Sequence, residues 1–472
     1  MRMFMQGFQD SVILRFAKLE LVRGEWRKYN LSLREGGQSY SVPEEKEGTF
    51  EISSVNIEEN AQKSPVNYVL PPGIDRVIDP QNPQLTQLNE QSMVLKVNNL
   101  LNGDARAAYK TMDLDVRQYK RLQMEVHAED IPGAGSSLKD DEITLFIRMG
   151  SDYRNNYYEI EVPLKLTRHK SNYSNNSDED RRAVWPLENR IDFAFEDFQR
   201  VKQARNDLMR VPNTTITYST IFDYQIDGTP YTYYICGNPN LSNVRTMMIG
   251  IRYPKNKGTH GSTRSAEVWV NELRLTNFNE KGGWAANARV ITKLADLGTL
   301  SIAGSTLKPG FGSIDQKVNE RSKEEINTYD ISSNLELGKF FPEKSGVQIP
   351  MYIGYSESFT DPEYNPLDPD IPLQAALDNA ANKAERDSII RLSRDYVMRR
   401  SLNFTNVRIN KMDGKPHFYD ISNWSFNYAF NETYSHNIRT ERSIDKRYHG
   451  GIMYNFTGRP KNNSTFPENQ NI

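Results

Sequence analysis

Residues 265–290 read SAEVWVNELRLTNFNEKGGWAANARV. Glu267 to Leu275 alternates as a half-buried strand does, with Val268 and Val270 on one face and charges on the other. NFNEKGG is a turn. From Trp284 the style changes: Ala286, Ala288 and Val290 share the tryptophan's face, with Asn287 and Arg289 opposite. The reading is a change of solvent at Gly282 and Gly283. A water-soluble sandwich ends there and strands of another kind begin.

Upstream, short strands recur between turn residues. VILRFAKLELV, KYNLSLRE and TFEISSVNIEE occupy residues 12–22, 28–35 and 49–59. They read as strands ending a preceding sandwich-like unit (1–60), and RFAKLELVRGEW echoes VWVNELRLTNF as far as two amphipathic strands can by chance. A Pro- and Asn-rich linker (61–90) follows. SMVLKVNNL, YKRLQMEVHAE, EITLFIRMG, YYEIEVPLKL, NRIDFAFEDF, RTMMIGIRY and AEVWVNELRL then predict a jelly-roll-like antiparallel β-sandwich over 91–279, with KSNYSNNSDEDRR as an exposed loop.

Downstream (280–472), strand candidates are about as long as a tilted membrane strand requires. NWSFNYAFNE is the clearest: Trp424, Phe426, Tyr428 and Phe430 fall on one face, with Ser425, Asn427, Ala429 and Asn431 on the other. Tyr454 and Phe456 continue the pattern in YHGGIMYNF. Aromatics on one face and small polar residues on the other suit an outer-membrane β-barrel wall, with Trp284 and these aromatics facing the membrane or its interface. A soluble β-domain with an aromatic core is the other reading. A loop-helix insertion at about 358–400, helical from about Leu373 to Arg399, would lie outside the bilayer. The fold class is mainly β: a sandwich region, then strands of an incomplete barrel, with one helical insertion.

Composition narrows the chemistry. Among 472 residues, 59 Lys+Arg nearly balance 61 Asp+Glu, so the basic surplus of a nucleic-acid binder is lacking. The single cysteine, Cys236, permits no disulfide framework and reads as a small buried filler. Mean hydropathy is −0.71 and no apolar run is long enough for a membrane helix, which leaves a barrel open. MRMFMQGFQD has no leader-like apolar core, and the chain reads as an internal piece of a longer one. No phosphate loop, zinc motif or nucleophile elbow occurs, and neither a catalytic residue nor a cofactor is expected. Glu159 and Glu161 alternate as exposed acids do, although a jelly-roll glycosidase could use such a pair. Tyr153, Tyr157 and Tyr158 could stack on sugars in a soluble, surface-attached carbohydrate-binding sandwich. Asp361, Glu363, Asp368 and Asp370 offer hard oxygens to calcium, but without the EF-hand spacing.

Three phrases carry a family resemblance: VWVNELRLTNFNEKGGWAANARVITKLADLGTLSIAGS (268–305), GYSESFTDPEYNPLDPDIPL (354–373) and WSFNYAFNETYSHNIRTERSIDKRYHGGIMYNF (424–456). Together they resemble the SprA (Sov) family, outer-membrane translocons of the type 9 secretion system of Bacteroidota. The resemblance implies a very large barrel with domains inserted between strands, at the cell surface of a Gram-negative bacterium. It implies export of folded cargo proteins with C-terminal sorting domains, and gliding motility in gliding species. Its implied partners are a PorV-type shuttle, a plug protein, outer-membrane lipid and an inner-membrane motor. It brings no catalytic residues.

Overall fold

A computed structural model describes residues 25–31, 33, 48–78, 87–133, 137–317, 320–414 and 416–458. The strand expected at residues 12–22, and with it most of the internal echo, lies outside them. The chain divides into two compact units, residues 1–277 and 278–472.

In unit 1 the strands are β1 (Arg27–Lys28), β2 (Thr49–Asn56), β3 (Gln91–Leu101), β4 (Ala105–Leu114), β5 (Tyr119–Asp130) and β6 (Thr144–Gly150). There follow β7 (Tyr157–Pro163), β8 (Ile191–Ala194), β9 (Phe222–Gln225), β10 (Thr232–Cys236), β11 (Val244–Arg252) and β12 (Thr263–Phe278). They form a seven-stranded sheet, β1-β4-β11-β6-β7-β10-β9, and a five-stranded sheet, β2-β3-β12-β5-β8. Alternation puts Leu95, Val97, Met124 and Val126 of one sheet and Ile147, Ile160, Ile235 and Ile249 of the other into one core, where all are buried. This is the sandwich that the period-two pattern requires.

Four details differ from the sequence reading. The strand Thr49–Asn56 closes no earlier unit: it pairs with β3 from Asn56↔Gln91 to Thr49↔Asn98, because its apolar residue Phe50 belongs to the same core. Residues 66–70, expected as a linker, are extended but buried. Val66, Tyr68 and Val69 join Trp185 and Trp269 in a second core on the far side of the five-stranded sheet. The charged face of β12 is therefore covered, and Lys63 bridges Glu129 and Glu267 at 2.6 and 2.7 Å, 4.6 Å above the Trp269 ring. The loop 170–182 is likewise no free excursion. Tyr173 is buried, exchanging two hydrogen bonds with Asn67, and helix α2 (Asp178–Val184), the second after α1 (Ile57–Asn60), leads into Trp185.

NRIDFAFEDF is only half strand. β8 ends at Ala194 and α3 (Phe195–Met209) follows. Its buried residues, Phe195, Phe198, Val201, Lys202 and Arg205, follow helical spacing. The last two are cations that satisfy themselves on carbonyls, Lys202 on Pro239 at 3.0 Å and Arg205 on Gly237, so an apolar count loses the stripe halfway.

Unit 2 contains β13 (Ala285–Leu294), β14 (Gly298–Leu307), β15 (Glu324–Glu336), β16 (Val347–Gln348), β17 (Pro350–Pro362), β18 (Asp395–Ile409), β19 (Trp424–Asn437) and β20 (Thr440–Tyr454). Seven of them form an antiparallel meander in chain order, and β16 pairs with β18. The sheet does not close: β13 and β20 have no further neighbour among the described residues. The insertion holds two helices, α4 (Leu373–Asp378) and α5 (Lys383–Ser393), in place of the one expected. Asn382 ends the first possibility of continuity. Its side chain caps α5 by accepting from Glu385 N at 2.9 Å, and Glu385 accepts from Ala381 N at 2.8 Å. Asp395–Arg399, expected as helix, opens β18.

Candidate functional site: the two faces of the meander

Register across the seven strands sorts side chains between two faces, because successive residues of a strand point to opposite sides. One row of partners runs Thr292, Leu300, Ser333, Ile353, Leu402, Phe430, Tyr448. The next row on the same face runs Leu294, Gly298, Leu335, Met351, Phe404, Tyr428, Gly450. Between them, on the opposite face, run Lys293, Thr299, Asn334, Tyr352, Asn403, Ala429, His449. Another opposite row runs Ile291, Ser301, Ser332, Gly354, Ser401, Asn431, Arg447. Long aliphatic and aromatic groups thus share one face, and Ser, Thr and Asn dominate the other. Ile291 and Tyr352 are the exceptions.

The apolar face is exposed over much of its extent, with Leu300, Leu402, Phe404 and Phe430 half-buried on it and both faces of β13 and β20 exposed. Val290, Ile302, Ile331, Phe426 and Ile452 are exposed, while Ser425, Asn427 and Ala429 are half-buried. A soluble sheet does the reverse. A continuous apolar face of this extent marks a surface that meets lipid or another protein.

The face also changes character along the strands. Where β13–β15 carry Val290, Ile302 and Ile331, the same row continues through Tyr355 to Arg400, Glu432 and Lys446. Arg400 and Glu432 pair at 2.5 Å, with Lys446 at 3.5 Å. On β19 and β20 the apolar run lies beyond this ionic row, at Trp424–Phe430 and Tyr448–Tyr454. The apolar band therefore crosses the hydrogen-bonded rows obliquely. Past the ionic row, Phe359, Tyr396, Tyr434 and His436 form a ring cluster, with Phe359 and Tyr396 at 5.1 Å, and Glu357 accepts from Tyr355 and Tyr396 at 2.6 Å each. Aromatic rings with polar tips suit the border of such a band. The sequence reading missed this cluster, because residues 395–399 were read as the end of the inserted helix.

The named aromatics fall as follows. Trp424 and Tyr454 are register partners with rings 5.1 Å apart, and Phe430 meets Tyr448 at 5.0 Å. Phe426 and Tyr428 lie between those pairs on the same exposed face. Trp284 and Phe456 are exposed just outside β13 and β20. The calcium candidates are not drawn together: Asp361 is held by Arg394 through two 2.7 Å bonds, and Asp370 is fully buried. Glu363 sits at a backbone crossing with Lys323 and Leu373, and one carboxylate oxygen of Asp368 is buried. Among the described residues no three metal-ligating side chains group for an ion.

In unit 1, Glu159 and Glu161 are not exposed. Arg148 meets Glu159 at 2.6 Å, Arg252 meets Glu159 at 2.7 Å and also pairs with Glu161, and Thr144 donates to Glu161 at 2.6 Å. Burial pushes Glu159 up, but the two guanidiniums outweigh it and hold its carboxyl below the usual range. A general acid needs the opposite shift. Tyr158 faces the core, Tyr153 packs on Tyr29 and Tyr109, and Tyr157 lies 3.9 Å under Arg148, so these three form no common platform. Cys236 is buried, and burial pushes its thiol up.

A double-sheet unit followed along the chain by an open antiparallel meander defines a mainly β protein. A family model described as motility related/secretion protein, covering the SprA N-terminal region, matches residues 1–377, and the chain belongs to that family. It is a secretion and motility family. The match includes β13–β17, and β18 continues their register from Thr360↔Asp395 onward. No curated protein matches the chain.

Proposed function

We propose that unit 2 forms part of the wall of a large outer-membrane β-barrel, the protein-export channel of type 9 secretion. The observation that carries this reading is the register of unit 2, which aligns apolar side chains, many of them exposed, on one face of seven consecutive strands. Lipid tolerates no open strand edge, so β13 and β20 require further strands beside them in the membrane. Trp284, Trp424, Phe426, Tyr428, Phe430, Tyr454 and Phe456 then lie against lipid or at its interfaces. Asn427 and Asn431 face a wet lumen. Unit 1 is a water-soluble insert. The channel passes folded cargo with C-terminal sorting domains, works with a PorV-type shuttle and a plug, and supports gliding where the organism glides. The wall acts passively, and no residue here performs chemistry.

Phe430→Arg and Asn431→Arg, introduced into the full-length gene in its host, test this. A lipid-facing arginine costs about 2–4 kcal/mol at the bilayer midplane and less towards the interface, where Phe430 stands one row from the Arg400–Glu432 pair, and a lumen-facing one costs less still. Phe430→Arg is expected to lower both the assembled protein in the outer-membrane fraction and the cargo in the medium. Asn431→Arg is expected to leave assembly intact. Equal effects of the two would overturn the assignment of faces.

A further inference from the structure

The outer face of the seven-stranded sheet in unit 1 is hollowed into a cleft of about 1290 Å³. Register sets its floor. Arg148, Glu159 and Tyr234 are consecutive partners across β6, β7 and β10, and Glu161, Thr232 and Gln225 form the next row on the same face. Five cations line the cleft, Arg148, Arg154, Arg252, Lys255 and Lys257, against two acids, Glu159 and Glu161. Asp223 extends the first row on β9 and lowers the excess by one. All four carboxylate oxygens of Glu159 and Glu161 already accept, two from Arg252, one from Arg148 and one from Thr144. Asp152, in the loop that carries Arg154, accepts from the backbone N–H groups of Arg154, Asn155 and Asn156. The cleft therefore keeps a surplus of positive charge, and the acids on its floor are engaged. The cations are also spread out. Arg154 stands in the turn beyond Gly150↔Tyr157, whereas Lys255 and Lys257 follow β11 past Arg252↔Thr144, at the other end of the same strands. The seven residues of β6 lie between these ends, about 20 Å at the usual rise of a strand.

We propose that this cleft binds an extended acidic peptide segment, laid along the strands with carboxylates at both ends. A cleft lined by a surplus of one sign draws the opposite charge into it. A lone phosphate or sulfate is the poorer fit, because it calls for cations that converge on one point. A sugar polymer or a single-stranded nucleic acid would need open aromatic faces for its rings or bases. Those faces are taken: guanidiniums lie 3.9 Å from the Tyr157 ring, 5.0 Å from that of Tyr218 and 5.9 Å from that of Tyr234. An acidic peptide needs no ring face. Its carboxylates stand on short flexible stems and reach separate cations, and its amides can pair with the exposed side-chain amides of Asn155, Gln225 and Asn256 in the lining. The inference is independent of the membrane reading of unit 2.

The test titrates a labelled octaglutamate peptide into the full chain, with octalysine, polygalacturonate, a single-stranded oligonucleotide and inorganic phosphate in parallel. Saturable binding of octaglutamate is expected, weakening as salt rises. Reversing the charge at either end, in the double variant Lys255→Glu, Lys257→Glu or in Arg154→Glu, is expected to weaken it by about ten-fold or more. Lys255 and Lys257 are exposed, so their reversal leaves the core intact. Lys120→Glu, an equal reversal at an exposed position on the other sheet, is expected to bind as the parent does. Absence of octaglutamate binding, binding of any of the other four probes as tight or tighter, parental affinity in the double lysine variant, or the same loss in Lys120→Glu would overturn the proposal.

Discussion

Glu159 and Glu161 alternate along β7 as solvent-exposed acids would, yet Arg148 and Arg252 meet them from two other strands. Alternation shows which side chains share a face. It does not show whether that face is covered, because the covering partners come from distant parts of the chain. The same gap hid Lys63 between Glu129 and Glu267. Two outcomes follow at this scale. Glu159→Gln leaves two buried guanidiniums short of a counter-charge, and denaturant unfolding is expected to show a loss of about 3–5 kcal/mol. The pH dependence has a definite sign. The Glu159 carboxyl is held low in the folded chain by Arg148 and Arg252 against the upward push of burial, and that of Glu129 by His127 and Lys63 against the same push. Their contribution is therefore complete above the ordinary carboxylate range and is lost as pH falls through the lowered folded values. Thermal unfolding of unit 1 followed from neutral to acidic pH should show stability falling only on the acid side. Stability that held constant into strong acid would contradict the pairing.

At the scale of elements, strands that alternate cleanly were legible and interrupted patterns were not. β5, β7 and β12 carry period-two runs, β3, β6 and β11 carry short apolar runs between turns, and all six stand close to where the sequence puts them. Helix α3 was missed because its buried stripe passes from Phe198 and Val201 to Lys202 and Arg205. The break between α4 and α5 had a signal that went unread: Asn382 with Glu385 three residues on is a capping pattern. Asn382→Ala is expected to destabilise α5 by about 1 kcal/mol, seen as faster amide exchange in 383–393 with the strands unchanged. Uniform exchange rates in the variant and the parent would show that the cap does not set the helix start. Residues 66–70 looked like linker since prolines and asparagines surround them, but the indole of Trp185 donates to Val69 O at 2.8 Å and seals them to the sheet. Trp185→Ala should cost about 3–5 kcal/mol in unfolding experiments on the full chain. A loss well below that range would mean residues 66–70 are not anchored there.

For the whole molecule, the change of style after Gly283 marks a change in what each unit does with its apolar side chains. Unit 1 buries them between two sheets and beneath a coat of residues 66–70 and Trp185. Unit 2 exposes them along one face of a meander. The alternation behind this was legible in Trp284–Val290 and Trp424–Asn431. What sequence could not supply was register, which alone shows that seven separate alternations fall into phase. The central claim is that the Phe426–Phe430 face meets lipid. Spin labels at Phe426, Tyr428 and Phe430, and at Ser425, Asn427 and Ala429, test it most directly. They are placed singly in the full-length protein reconstituted in bilayers and read for collision with oxygen against a water-soluble nickel complex. Oxygen contact is expected to dominate at the first three positions and nickel contact at the second three. Loss of alternation, or alternation in the opposite phase, would contradict the assignment of the wall.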